Sequence, residues 1–74
     1  MNEKIDSLFE KIMKISPDVD RSTLVYNVTP GWDSVAHMAL VAGLEEQFDC
    51  MLEIDDILNM SSYEKVLEII EKYV

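Results

Sequence analysis

The sequence predicts an all-α domain, a four-helix bundle with a long first loop and a short third helix. Three observations point there. Apolar residues recur at helical spacing in separate stretches. Two glycines and two prolines in 74 residues leave few turns for an all-β chain. One cysteine, Cys50, forms no internal disulfide, and the lone His37 rules out a zinc-finger set, so packed helices must supply the stability. The length suits one domain, 1–74, near the lower limit for a single hydrophobic core.

The first helix lies in NEKIDSLFEKIMKI, where Ile5, Leu8, Phe9, Ile12 and Ile15 share a face and Pro17 with Asp18 ends the run. Residues 16–33 read as a long connection, a length that usually has a job. Leu24, Val25 and Val28 are expected to pin it to the core, with a turn at Pro30-Gly31. The second helix starts at Asp33 or Ser34 and runs to about Phe48, with Asp33 as its N-cap. A short third helix, IDDILNM, is expected to use Asp55 or Asp56 as its cap. The fourth, SSYEKVLEIIEKYV, opens with a Ser61-x-x-Glu64 capping box and places Val66, Leu67, Ile70 and Tyr73 on one face.

The second helix is apolar on two sides. At about 100° per residue, Leu40, Val41, Leu44 and Phe48 fall together as the core face, while Val35, Ala39 and Ala42 fall roughly opposite, flanked by Met38 and Glu46. Either both sides are buried, or the second is a partner-facing strip of Val35, Met38, Ala39, Ala42, Glu45 and Glu46, an apolar centre with a charged rim. Met38, Met51 and Met60 are expected to fill core gaps or line the face near Ser34.

Charge is unevenly placed. The net charge is −9; residues 1–33 hold six acids against four bases, and residues 34–74 hold nine acids against only Lys65 and Lys72. That field repels nucleic-acid phosphates and anionic lipid and attracts basic docking patches. No apolar run approaches the roughly 18 residues a bilayer span needs, and no signal peptide opens the chain, so a reduced, cytoplasmic setting without membrane insertion is expected.

Ser34 stands at the start of the second helix without an evident catalytic base. His37, three residues on, is within reach on a helix, but a hydrolase also needs a group to orient the histidine, an oxyanion hole and a water-excluding pocket. No G-x-S-x-G elbow is present. His37 reads as an ordinary helix-face residue, and no catalytic residue is assigned. An attached phosphodiester suits Ser34 better, because the first helical turn offers free amide hydrogens and the positive end of the macrodipole.

The segment GWDSVAHMALVAGLEEQF, Gly31 to Phe48, resembles the signature of acyl carrier proteins, Asp-Ser-Leu followed by an apolar helix and Leu-Glu-Glu-x-Phe. Asp33, Ser34, Val35, Leu40, Leu44, Glu45, Glu46 and Phe48 carry the likeness, which extends loosely over the entire chain. It implies that Ser34 carries a 4′-phosphopantetheine arm, transferred from coenzyme A by a phosphopantetheinyl transferase using magnesium, with Asp33 near that ion during transfer. The arm's thiol would hold acyl groups as thioesters, leaving Cys50 outside the chemistry. Implied partners are the transferase and the acyl-activating or acyl-transfer enzymes and synthases of a fatty-acid, polyketide or other specialised pathway, meeting a monomeric carrier.

The sequence departs from that pattern at Val35, which replaces a leucine, and at Ala39, where fatty-acid carriers often have glutamate. Trp-Asp-Ser and LEIDDIL resemble free-standing carriers of specialised pathways. Peptidyl carriers tend to have Gly-His-Ser where this chain has Trp32-Asp33-Ser34, yet an aminoacyl or peptidyl carrier stays an alternative, as does an unmodified acidic interaction module. Other sites fail. Asp18-x-Asp20-x-Ser22 begins like a calcium loop but has Thr23 and Thr29 where glycine and glutamate belong. Asp55-Asp56 reads as helix capping, no metal site is assigned, and Tyr26, Tyr63, Tyr73 and Trp32 lie among acids, wrong for base stacking.

Overall fold

The computed structural model describes residues 2–74. Among them are four α-helices and no strand: α1 Asn2–Met13, α2 Ser34–Phe48, α3 Ile54–Asn59 and α4 Tyr63–Glu71. The Cα radius of gyration, 11.0 Å, is that of a packed chain of this length.

In α1, Ile5, Phe9 and Met13 repeat every four residues and are buried, with Leu8 and Ile12 beside them. The helix stops at Met13, short of the expected Ile15, because Lys14 takes a left-handed φ of 55°. The Pro30-Gly31 turn packs against that end. Trp32 N–H donates to Thr29 C=O (3.1 Å), and Gly31 has φ 93°, as the third residue of a type II turn requires. A Cβ on Gly31 would stand 3.0 Å from the Met13 carbonyl oxygen, so space as well as dihedral angle selects glycine.

The long connection is tied down along its length. Asp20 caps a single 3₁₀ turn, Arg21–Thr23, by accepting from Ser22 N–H, and Arg21 reaches back to Asp6 and Glu10 on α1. The Asp18–Ser22 stretch is thus a capped turn. Leu24 is buried as expected; the Val25 side chain is exposed, and Val25 is held instead through its backbone in an isolated antiparallel bridge with Ser62. Val28 does not pin the loop: it is 76% exposed, lifted out by the turn that carries Val28 N–H and Thr29 N–H onto the Val25 carbonyl.

That bridge also moves the start of α4. Tyr26 N–H donates to Ser61 C=O and Tyr63 N–H to Leu24 C=O, which holds Ser62 extended as the last residue before the helix. Ser62, not Ser61, is therefore the N-cap, accepting from Lys65 N–H at 3.2 Å, and the expected Ser61–Glu64 box does not form. The expected cap of α3 is also displaced. Glu53 precedes the helix without a side-chain cap bond, and Asp55 and Asp56 lie in its first turn. Asp56 is drawn away to Lys72 Nζ (2.6 Å) and the Tyr73 hydroxyl, clamping α3 to the end of the chain. Those two bonds, Lys72 first, hold the Asp56 carboxyl below its ordinary range. The clamp's contribution is present above the ordinary value of 3.8 and fades as pH falls through the lowered one.

The core centres on aromatic rings. Trp32 is 0% exposed and meets Phe9 edge-on at 5.0 Å between centroids; Phe9 meets Tyr63 at 5.4 Å. Met13 and Met60 fill the remaining core space, whereas Met38 and Met51 face solvent.

Tyr63 donates its hydroxyl hydrogen to Asp6, and burial together with that carboxylate pushes its pKa up to about 12. A raised tyrosine pKa gives stability that is complete below the ordinary value of 10.0 and is lost as pH rises towards about 12. Lys72 and Tyr73, both raised by Asp56, act in the same direction. Thermal midpoints measured across that window are expected to fall, and Tyr63→Phe is expected to flatten the slope without abolishing it. An unchanged slope in the variant would refute the assignment.

Candidate functional site

The first turn of α2 is built by its cap. Asp33 is extended, and its carboxylate accepts from Ala36 N–H at 2.8 Å while its carbonyl accepts from His37 N–H at 2.8 Å. Ser34 is the first helical residue and is exposed. Its Oγ lies 3.1 Å from the Tyr26 hydroxyl.

His37 is not an ordinary helix-face residue. It is 8% exposed, and both ring nitrogens are engaged inside the fold. Trp32 Nε1–H donates to His37 Nδ1 at 3.0 Å, and His37 Nε2 meets the Ile57 carbonyl oxygen of α3 at 2.9 Å. An indole nitrogen can only donate and a carbonyl can only accept, so the imidazole is neutral with its hydrogen on Nε2. Neither nitrogen is left for Ser34, and the serine–histidine pair required by a small hydrolase is not formed.

This network was missed at the sequence level, although a signal existed. A buried tryptophan N–H needs an acceptor, and the chain has one histidine, five residues away. The Tyr26 ring completes the arrangement. Its centroid is 4.8 Å from His37 and 6.2 Å from Trp32, so a buried aromatic group leads outward to the Ser34 hydroxyl.

Of the two alternatives for α2, the structure has one apolar side buried and the other exposed. His37, Leu40, Val41 and Leu44 are buried, with Phe48 partly so. On the other side Val35 is 80% exposed, Met38 57%, and Ala39, Ala42 and Glu46 are also exposed. Glu45 turns differently: its carboxylate accepts from Leu52 N–H at 2.9 Å, fixing the chain after the helix ends in left-handed Asp49. Val35, Ala36 and Ala39 also border an open groove of about 530 Å³ against Lys11, Ile12, Met13 and Lys14 at the end of α1. Further along the surface, Ile54 and Leu58 of α3 and Met51 are exposed. Among the described residues no salt bridge involves Glu46, Asp49, Glu53 or Asp55; Lys65 pairs with Glu68 and Lys72 with Asp56.

Among the described residues no cluster of three or more histidine, cysteine or acidic side chains is arranged to hold a metal, and no helix is long and apolar enough to cross a membrane. Cys50 is half-buried, and burial, then Glu45 and Asp49, push its thiol pKa up, away from the reactive thiolate. No protein-family model, curated protein or solved structure matches the chain.

The histidine tautomer can be tested directly. Long-range ¹H–¹⁵N correlation is expected to show His37 protonated on Nε2 alone. His37→Ala, which leaves the Trp32 N–H and the Ile57 carbonyl unpaired, is expected to cost about 2–4 kcal/mol. A hydrogen on Nδ1 would contradict the network.

Proposed function

We propose that this chain is a free-standing acyl carrier protein, carrying acyl intermediates on a 4′-phosphopantetheine arm attached to Ser34. The observation that carries this reading is the exposed Ser34 hydroxyl, fixed at the first residue of a capped helix and bordered by an exposed apolar strip, with Glu46 exposed further along the same helix. The residues present fit the arm. A phosphodiester on Ser34 Oγ would lie at the end of α2 where the helix dipole is positive, and where the Ser34 and Val35 amides have no preceding turn to bond to. Nothing buried has to move to reach it.

In this reading the protein contributes presentation. Ser34 supplies the hydroxyl, Asp33 holds the first turn and would stand near the transferase's magnesium ion during transfer, and Val35, Met38, Ala39 and Ala42 offer the contact surface. Glu46, with Asp49, Glu53 and Asp55, draws in cationic partners, giving fast, salt-sensitive and short-lived encounters. Glu45 belongs to the same region, but part of its charge is spent on the Leu52 amide. Once attached, the arm's thiol supplies the thioester chemistry. The partners would be a phosphopantetheinyl transferase and the acyl-activating, acyl-transfer and synthase enzymes of a biosynthetic pathway. The reading carries with it a four-helix-bundle arrangement, a monomer, a cytoplasmic setting and no nucleic-acid partner.

Intact mass tests the proposal. Incubation with coenzyme A, magnesium and a broad-specificity phosphopantetheinyl transferase is expected to add one phosphopantetheinyl group to the wild type and none to Ser34→Ala. An unchanged mass on folded protein with several transferases would sink the carrier and favour an unmodified acidic module.

A further inference from the structure

Resting on the carrier reading, we propose that Tyr26 is a positioning residue for Ser34, holding its hydroxyl before the arm is attached and its phosphodiester afterwards. The Tyr26 hydroxyl has one hydrogen-bond partner among the described residues, Ser34 Oγ at 3.1 Å. Serine has three staggered χ1 wells, and an exposed serine at a helix start is free to sample more than one. Tyr26 restricts that freedom, because Tyr26 is itself tied to the fold. Its backbone N–H is bonded to the Ser61 carbonyl at 2.9 Å, and its ring lies against His37, which is held at both nitrogens, and against the buried Trp32.

The chemistry of attachment sets the direction of the bond. Ser34 Oγ forms a bond to the β-phosphorus of coenzyme A. The bond from that phosphorus to the bridging oxygen breaks, and 3′,5′-adenosine bisphosphate departs with the electron pair. The serine proton passes to a base on the transferase. Before the step either hydroxyl can donate to the other. Afterwards Oγ is an ester oxygen with no hydrogen, so Tyr26 is the donor, to Oγ or to a phosphate oxygen. Phenylalanine keeps the ring and its packing and removes both roles.

The test compares wild type with Tyr26→Phe in two readouts. In transferase kinetics the variant is expected to lose about threefold in kcat, the factor for releasing one of three staggered wells, with KM for the carrier unchanged, because the docking strip is intact. In NMR of the unmodified proteins, the Ser34 Hα–Hβ couplings are expected to be those of a single rotamer in wild type and averaged in the variant. Averaged couplings in wild type would overturn the proposal whatever the variant's stability. So would a loaded wild type with a variant of equal kcat. A wild type that no transferase loads removes the carrier reading and, with it, the role given to Tyr26; the loading control distinguishes that outcome from a failure of positioning alone.

Discussion

The indole N–H of Trp32 must find an acceptor inside the core, and the way it does so governs the rest of the molecule. Its partner, His37, is on α2; the imidazole's other nitrogen reaches the Ile57 carbonyl on α3. One neutral ring therefore joins the long connection, the second helix and the third. A buried polar chain of this kind is costly when half satisfied and specifying when complete. Here it is complete, since a donor-only indole, a one-donor imidazole and an acceptor-only carbonyl fit together in one order. Phe9 and Tyr63 pack against the same region and bring α1 and α4 to it.

The network also divides α2. Its buried side begins with His37 and continues through Leu40, Val41 and Leu44, so the opposite apolar residues are left in water. A helix needs one apolar face to fold in a small domain. Val35 and Met38 are exposed beyond that need, which is the feature the proposed role as a docking surface draws on. Ser34 sits where the two regimes meet, rigid beneath through Tyr26 and open above.

Much of this was legible in the residues. Asp33 as cap, Ser34 as first helical residue, and Leu40, Val41 and Leu44 as core follow from periodicity and local capping chemistry. What escaped the sequence was set by contacts between distant segments. Ser61 has the better capping-box spacing, but the Val25–Ser62 bridge makes Ser62 the cap. Asp56 is a plausible cap for α3 until Lys72 and Tyr73 claim it. Val28 has an apolar side chain but stands on a turn that points it outward. His37 is polar on an apolar helix, and only its two partners, five and twenty residues away, make it core. Within the site, the serine and its cap were readable locally; Tyr26, eight residues upstream, was not.

In the proposed role Ser34, out of six serines in the chain, is the one presented for attachment. Ser7, Ser16, Ser22 and Ser61 are also exposed, and Ser62 also caps a helix, so position in the fold has to discriminate among them. Labelling with a coenzyme A analogue bearing a tag on its thiol, followed by peptide mapping, asks this of the whole chain at once. All of the label on the peptide containing Ser34, localised to that residue, is the predicted result. Label on another serine, or none on a folded sample, would contradict it.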